Sequence, residues 1–101
     1  MKDYAFSTEA EDELMDALAY HAAHWAGTGR SLYADLQAAI DTVRRAPTAH
    51  PAGRRDERQY LMAPLPYVLV YVDLPGFVWF KAVAHTSRRR GYWWRRQPPR
   101  N

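Results

Sequence analysis

Midway along the chain the spacing of apolar residues changes from the period of a helix to that of a strand, and this switch limits the possible folds. Ala10, Leu14, Ala17, Leu18, Ala22 and Trp25 recur at steps of three and four, as one face of a helix requires. Leu32, Leu36, Ile40 and Val43 form a second such stripe. From Arg58 onward the period is two, with predicted strands over Arg58 to Ala63, Tyr67 to Leu74 and Phe77 to Ala84. Lys2 to Phe6 reads as one more strand, with Tyr4 and Phe6 on a common face. The order β-α-α-β-β-β keeps helices and strands apart in sequence. It predicts an α+β fold, a helical hairpin packed on an antiparallel sheet.

Local signals mark the boundaries. Thr8 and Glu11 fit a capping box at the start of the first helix, and Ser7 is an equally good cap one residue earlier. Glu9, Glu11, Asp12 and Glu13 then sit where the helix dipole favours negative charge. Gly27 and Gly29 end that helix. The second begins near Ser31, carries Arg44 and Arg45 at its C-terminal end and stops at Pro47. Residues 47–57 are polar and carry two prolines and a glycine, as a loop does. Leu74-Pro75-Gly76 is a tight turn joining the last two strands, and Pro64 and Pro66 belong in a connection because they cannot donate to a ladder.

With 101 residues the chain suits one domain, expected over residues 1–96 with a loose tail at 97–101. Cysteine is absent, which excludes disulfides and thiolate metal sites and suits a reducing cytoplasm. Met1 to Phe6 carries Lys2 and Asp3 and has no apolar signal region, and the longest near-apolar run, Ala63 to Val72, is broken by Pro64 and Pro66. Neither export nor a membrane partner is expected. His21 and His24 lie three apart with no third ligand nearby, so they read as a partly exposed helix surface, and neither metal nor cofactor is expected. No Gly-rich phosphate loop is present either.

The charges are unevenly divided. Residues 1–46 carry four Lys or Arg against eight acids, whereas residues 47–101 carry ten against three. The basic half ends in a stretch from His85 to Arg100 that interleaves cations with rings, suited to an acidic partner.

Three local patterns stand out. Ser7-Thr8-Glu9-Ala10 opens the first helix. Arg58 precedes by eight residues the Pro66-Tyr67 pair that begins an aromatic-aliphatic strand. Val83-Ala84-His85 ends a strand and is followed by Arg88, Arg89, Arg90, Tyr92 and Trp93. In this order the three resemble the RelE/ParE superfamily of bacterial toxins from type II toxin–antitoxin pairs. The resemblance implies a growth inhibitor held silent by a cognate antitoxin, itself small and acidic where it docks. It leaves two targets: DNA gyrase, as for ParE-like members, or messenger RNA on the ribosome, as for RelE-like endoribonucleases.

Cleavage of RNA through its 2′-OH needs a base, an acid and cations on the phosphate. Here His85 or Tyr92 would move protons, while Arg58 and one of Arg88 to Arg90 would hold phosphate. By family analogy Arg58 faces the open side of the sheet. RelE-like catalysts tend to carry several lysines or a glutamate before the arginine position, where this chain has Arg54, Arg55, Asp56 and Glu57. The two long helices likewise resemble the ParE branch. A target- or nucleic-acid-binding set would then comprise Arg58, Arg88, Arg89, Arg90, Trp93, Trp94, Arg95 and Arg96. Two arrangements remain open for this segment: rings exposed for stacking, or Tyr92 and Trp93 folded back to cap the core. A third reading is a non-toxic binding module that shares the fold.

Overall fold

Ser7 starts the first helix and fastens it to the sheet in one step. Its Oγ accepts from the Ala10 backbone N–H at 3.0 Å and donates to the Lys81 carbonyl at 3.0 Å. The side chain thus serves a helix N-terminus and a strand together. Of the two caps the sequence offers, Ser7 is the one used. Ala10 is fully buried beneath it.

The computed structural model describes residues 1–25, 27–29 and 31–98. Within the expected tail, Pro99, Arg100 and Asn101 lie outside the described residues, and so does Arg30. Along the chain come β1 (Asp3–Phe6), α1 (Thr8–His24), α2 (Leu32–Arg45), β2 (Arg58–Leu61), β3 (Tyr67–Leu74) and β4 (Phe77–His85). A short 3₁₀ turn at Arg54–Asp56 precedes β2. No helix among the described residues is long and apolar enough to cross a membrane.

The strands form one sheet in the order β1-β4-β3-β2. The β2–β3 and β3–β4 pairs are antiparallel, the second closed by the expected turn at Pro75 and Gly76. The sheet is nevertheless mixed rather than wholly antiparallel, because β1 lies parallel to β4, with Tyr4 opposite Val78 and Phe6 opposite Phe80. A parallel neighbour needs a long crossover, which the helical hairpin supplies. Side-chain alternation reveals which face a strand buries but not which neighbour it joins, so this pairing is invisible in the sequence.

One face of the sheet carries the main core. Leu36, Ile40 and Val43 of α2 and Ala10 and Ala17 of α1 pack with Leu69, Tyr71, Val78, Phe80 and Val83. The stripe on α2 is the predicted one. On α1 the buried arc passes through His21 rather than Ala22, which is exposed. His21 is not the half-exposed surface residue expected: it is buried, with its ring 3.7 Å from Trp25 and 5.5 Å from Tyr67. The second face bears a smaller cluster of Val70, Ala82, Ala84 and Trp93. Strands β3 and β4 are therefore covered on both sides, which explains their near-continuous apolar sequence.

Replacement of Ser7 by alanine removes the cap and one of the two side-chain hydrogen bonds to the Lys81 carbonyl, so it should cost about 2 kcal/mol in urea unfolding. Ser31→Ala removes an exposed cap bond to Ala34 and should cost about 1 kcal/mol or less. Equal losses would show that the bridge to the sheet contributes nothing.

Candidate functional site: a basic face built by the C-terminal segment

Strand β4 contains one charged residue, Lys81, in an otherwise apolar run. It sits at a β-bulge: Val70 pairs with Ala82 and Tyr71 with Phe80, so Lys81 is the extra residue. Lys81 follows Phe80, which faces the main core, so it points to the second face, and the bulge re-aims the next residue, Ala82, to that face as well. There the Lys81 Nζ lies 2.5 Å from Glu57 Oε1 and 3.3 Å from the Trp94 carbonyl. The other oxygen of Glu57 accepts from the Trp93 indole N–H at 2.8 Å. Glu57, Lys81 and Trp93 are 5, 4 and 4% exposed, so both charges and the indole proton are satisfied inside the protein.

A second carboxylate clamps the same segment from α1. Glu13 accepts from Arg96 at 2.8 Å, from the Val83 backbone N–H at 3.1 Å and from the Tyr92 hydroxyl. Arg96 also donates to the Lys81 carbonyl at 2.9 Å. Burial pushes the Tyr92 phenol well above its usual range, and the bond to Glu13 with its negative charge adds to the rise. Burial alone would lower the Arg96 pKa; Glu13 more than offsets this and leaves it raised. By linkage, the Tyr92 contribution to stability is intact below pH 10.0 and is lost as pH rises beyond it.

Trp94 joins this segment to the 3₁₀ turn. Arg54 lies over its ring at 4.3 Å and Arg55 donates to its carbonyl at 2.8 Å. Arg55 holds a left-handed φ of 57°, uncommon for a bulky residue. Gly91 turns the chain with φ +83°, and a Cβ there would stand 2.4 Å from Trp94 Cε2. The glycine thus lets the ring lie against the backbone.

These contacts divide the candidate residues. Trp93 and Tyr92 cap the second face of the sheet, and Arg96 is bound to Glu13. Arg88, Arg89, Arg90 and Arg95 are exposed, Arg88 lying 4.0 Å over the Tyr92 ring. His85 stands at the end of β4, its ring edge-on to Tyr67 at 5.3 Å. The Ser87 N–H donates to His85 Nδ1 at 3.0 Å, so the neutral ring carries its proton on Nε2. His85, Arg88 and Arg90 line a cleft of about 420 Å³ floored by Leu61, Val68 and Trp93.

Arg58 does not join them. It pairs across the sheet with Tyr71, whose side chain lies in the main core, so it projects on the helix side and not on the open side. There it donates to the carbonyls of Thr48 and His50, while the Tyr71 hydroxyl donates to that of Pro47 at 2.9 Å. Arg58 secures the 47–57 loop. His85 is opposite Tyr67, four residues along β3 from Tyr71. That offset separates it from Arg58 by roughly 13 Å along the strands and two strand spacings of about 4.8 Å. Arg58 thus stands apart from the rest of the candidate trio, whereas His85 and Tyr92 line one cleft of about 280 Å³ together with Arg88, Glu13 and Tyr67.

Glu13 and Glu57 are absent from the sequence-based candidates. A lone lysine in an apolar strand signals that a buried acid must exist, but nothing in the sequence says which one.

No protein-family model matches the chain, and no curated protein is similar to it in sequence. Among solved structures, a chain described as "Chromosomal ParDE TA system from P. aeruginosa" is similar with a TM-score of 0.66 and 14% identity, over 86% of this chain and 98% of that one. The fold implied by the sequence resemblance, two helices on a four-stranded sheet, is thus shared with a chain of that system.

Glu57→Gln leaves Lys81 buried without a counter-charge and should destabilise the protein by about 3 to 5 kcal/mol. Adding Lys81→Met should recover most of that loss, because an apolar residue of similar length needs no partner. Urea unfolding followed by tryptophan fluorescence measures both. A double variant as unstable as the single one would contradict the pairing.

Proposed function

We propose that this chain is the toxin of a type II toxin–antitoxin pair, silenced in the cytoplasm by a cognate antitoxin and acting in the ParE manner on DNA gyrase. The toxin domain spans residues 1–96. The shared fold with a ParDE chain supports the class. The choice of branch rests on the separation of Arg58 from His85. General acid–base chemistry on RNA needs donors, acceptors and phosphate ligands within hydrogen-bond reach of one reacting group. Here Arg58 is spent on loop carbonyls, and the Tyr92 proton is held by Glu13. The exposed cations Arg88, Arg89, Arg90 and Arg95 fit a protein that acts by binding. Its antitoxin would lay acidic residues over the same face and so deny it to the target.

Purified protein should inhibit gyrase supercoiling or accumulate cleaved DNA. His85→Ala should change the inhibitory concentration less than about threefold, whereas the combined Arg89→Ala, Arg90→Ala, Arg95→Ala variant should raise it more than about tenfold. Toxicity in cells without any effect on gyrase would overturn this reading. Codon-placed cuts in translated messages, abolished by His85→Ala, would establish the endoribonuclease instead. Normal growth of a host lacking the antitoxin would favour a non-toxic binding module.

A further inference from the structure

Five exposed arginines from two separate segments meet at Trp94. Arg54 and Arg55 come from the 3₁₀ turn and are held to the ring and carbonyl of Trp94. Arg89, Arg90 and Arg95 flank the same residue in the C-terminal turn, where with Gly91 and Tyr92 they line a shallow depression of about 230 Å³. Among the described residues none of the five is in a salt bridge. The nearest acids in sequence do little to offset them: Glu57 is neutralised by buried Lys81, and Asp56 alone remains at the surface. The C-terminal arginines were expected to bind, and Arg54 and Arg55 of the 3₁₀ turn join them only in the folded chain.

We infer that this arginine face binds the phosphate backbone of a nucleic-acid duplex directly, without reading bases. The rings decide between polyanions. Trp93 is buried against the sheet, its N–H spent on Glu57. Tyr92 is bonded to Glu13 and lies under Arg88. Trp94 packs on Gly91 and is covered by Arg54. Single strands are held by stacking bases on free aromatic faces, and protein interfaces by burying aromatic anchors. This face offers neither. It offers guanidinium forks, which suit phosphate oxygens in bidentate geometry, on a platform held rigid by Glu13 and Glu57. Binding would follow the charge density of the duplex and release its condensed counterions.

The inference rests on the reading of this face as the one turned to the target, and it names the component contacted there. The test uses the full chain without gyrase, a 20-base-pair DNA duplex, an RNA duplex of equal length, the single strands and polyglutamate, titrated by fluorescence anisotropy between about 50 and 200 mM salt. Tighter binding to a duplex than to its single strands or polyglutamate is expected, with the two duplexes distinguishing DNA from RNA. Arg89→Ala, Arg90→Ala, Arg95→Ala should make the log–log salt slope shallower by about 2 to 3 while leaving urea stability unchanged within error. Arg54→Ala should weaken binding about uniformly across duplex sequences. No duplex binding at low salt, equal binding to polyglutamate, or an unchanged slope would overturn the inference. Gyrase inhibition without duplex binding would overturn it and leave the toxin reading standing. Duplex binding without gyrase inhibition would support it and overturn that reading.

Discussion

The C-terminal segment depends on one buried ion pair. Lys81 and Glu57 meet beneath Trp93, and each is almost completely removed from water. Moving two charges into a protein interior costs several kcal/mol apiece, and their attraction repays this only where the remaining donors and acceptors are satisfied. Here they are: Glu57 takes the indole proton, and Lys81 also reaches the Trp94 carbonyl. The pair thus sets where the two tryptophans lie. An apolar pair of similar volume could fill the space but would not accept from an indole N–H. The β-bulge in β4 puts Ala82 on the same face as Lys81, so the ion pair lies beside the small apolar cluster that Trp93 covers.

Glu13 extends the same logic from the opposite layer. It reaches from the second turn of α1 to Val83, Tyr92 and Arg96, so helix, sheet and C-terminal turn share one carboxylate. Together the two acids sort the basic half of the chain by role. Lys81 and Arg96 are internal to the fold, and Arg58 is bound to the loop. What remains outside is a set of arginines on a rigid base. A surface that keeps its cations while its rings are occupied is suited to electrostatic binding more than to stacking or proton transfer.

Much of the fold was legible in the sequence because it rests on local rules. Helical spacing revealed Leu32, Leu36, Ile40 and Val43, alternation revealed β3 and β4, and Pro75 with Gly76 marked the turn between them. Contacts between distant residues were not legible. The parallel seating of β1 and the identity of the acid opposite Lys81 depend on which segments come together in three dimensions. For the same reason Arg58 was expected on the open face: analogy located the residue, but only its register with Tyr71 shows its side. Glu13 illustrates the difference most clearly. Its position near a helix N-terminus fits a dipole argument, yet it lies 70 residues from one hydrogen-bond partner and 83 from another.

The account stands or falls on whether residues 92–96 belong to the folded core. Amide hydrogen exchange measures this directly, since the Trp94 and Arg96 N–H groups donate to the carbonyls of Gly91 and Trp93 at 3.1 and 3.0 Å. A segment clamped by Glu13 and Glu57 should open only with much of the protein, so these amides should exchange at least about a thousandfold more slowly than in an unstructured chain. Exchange at the unstructured rate, with the β3 and β4 amides still protected, would show a free basic tail and contradict it.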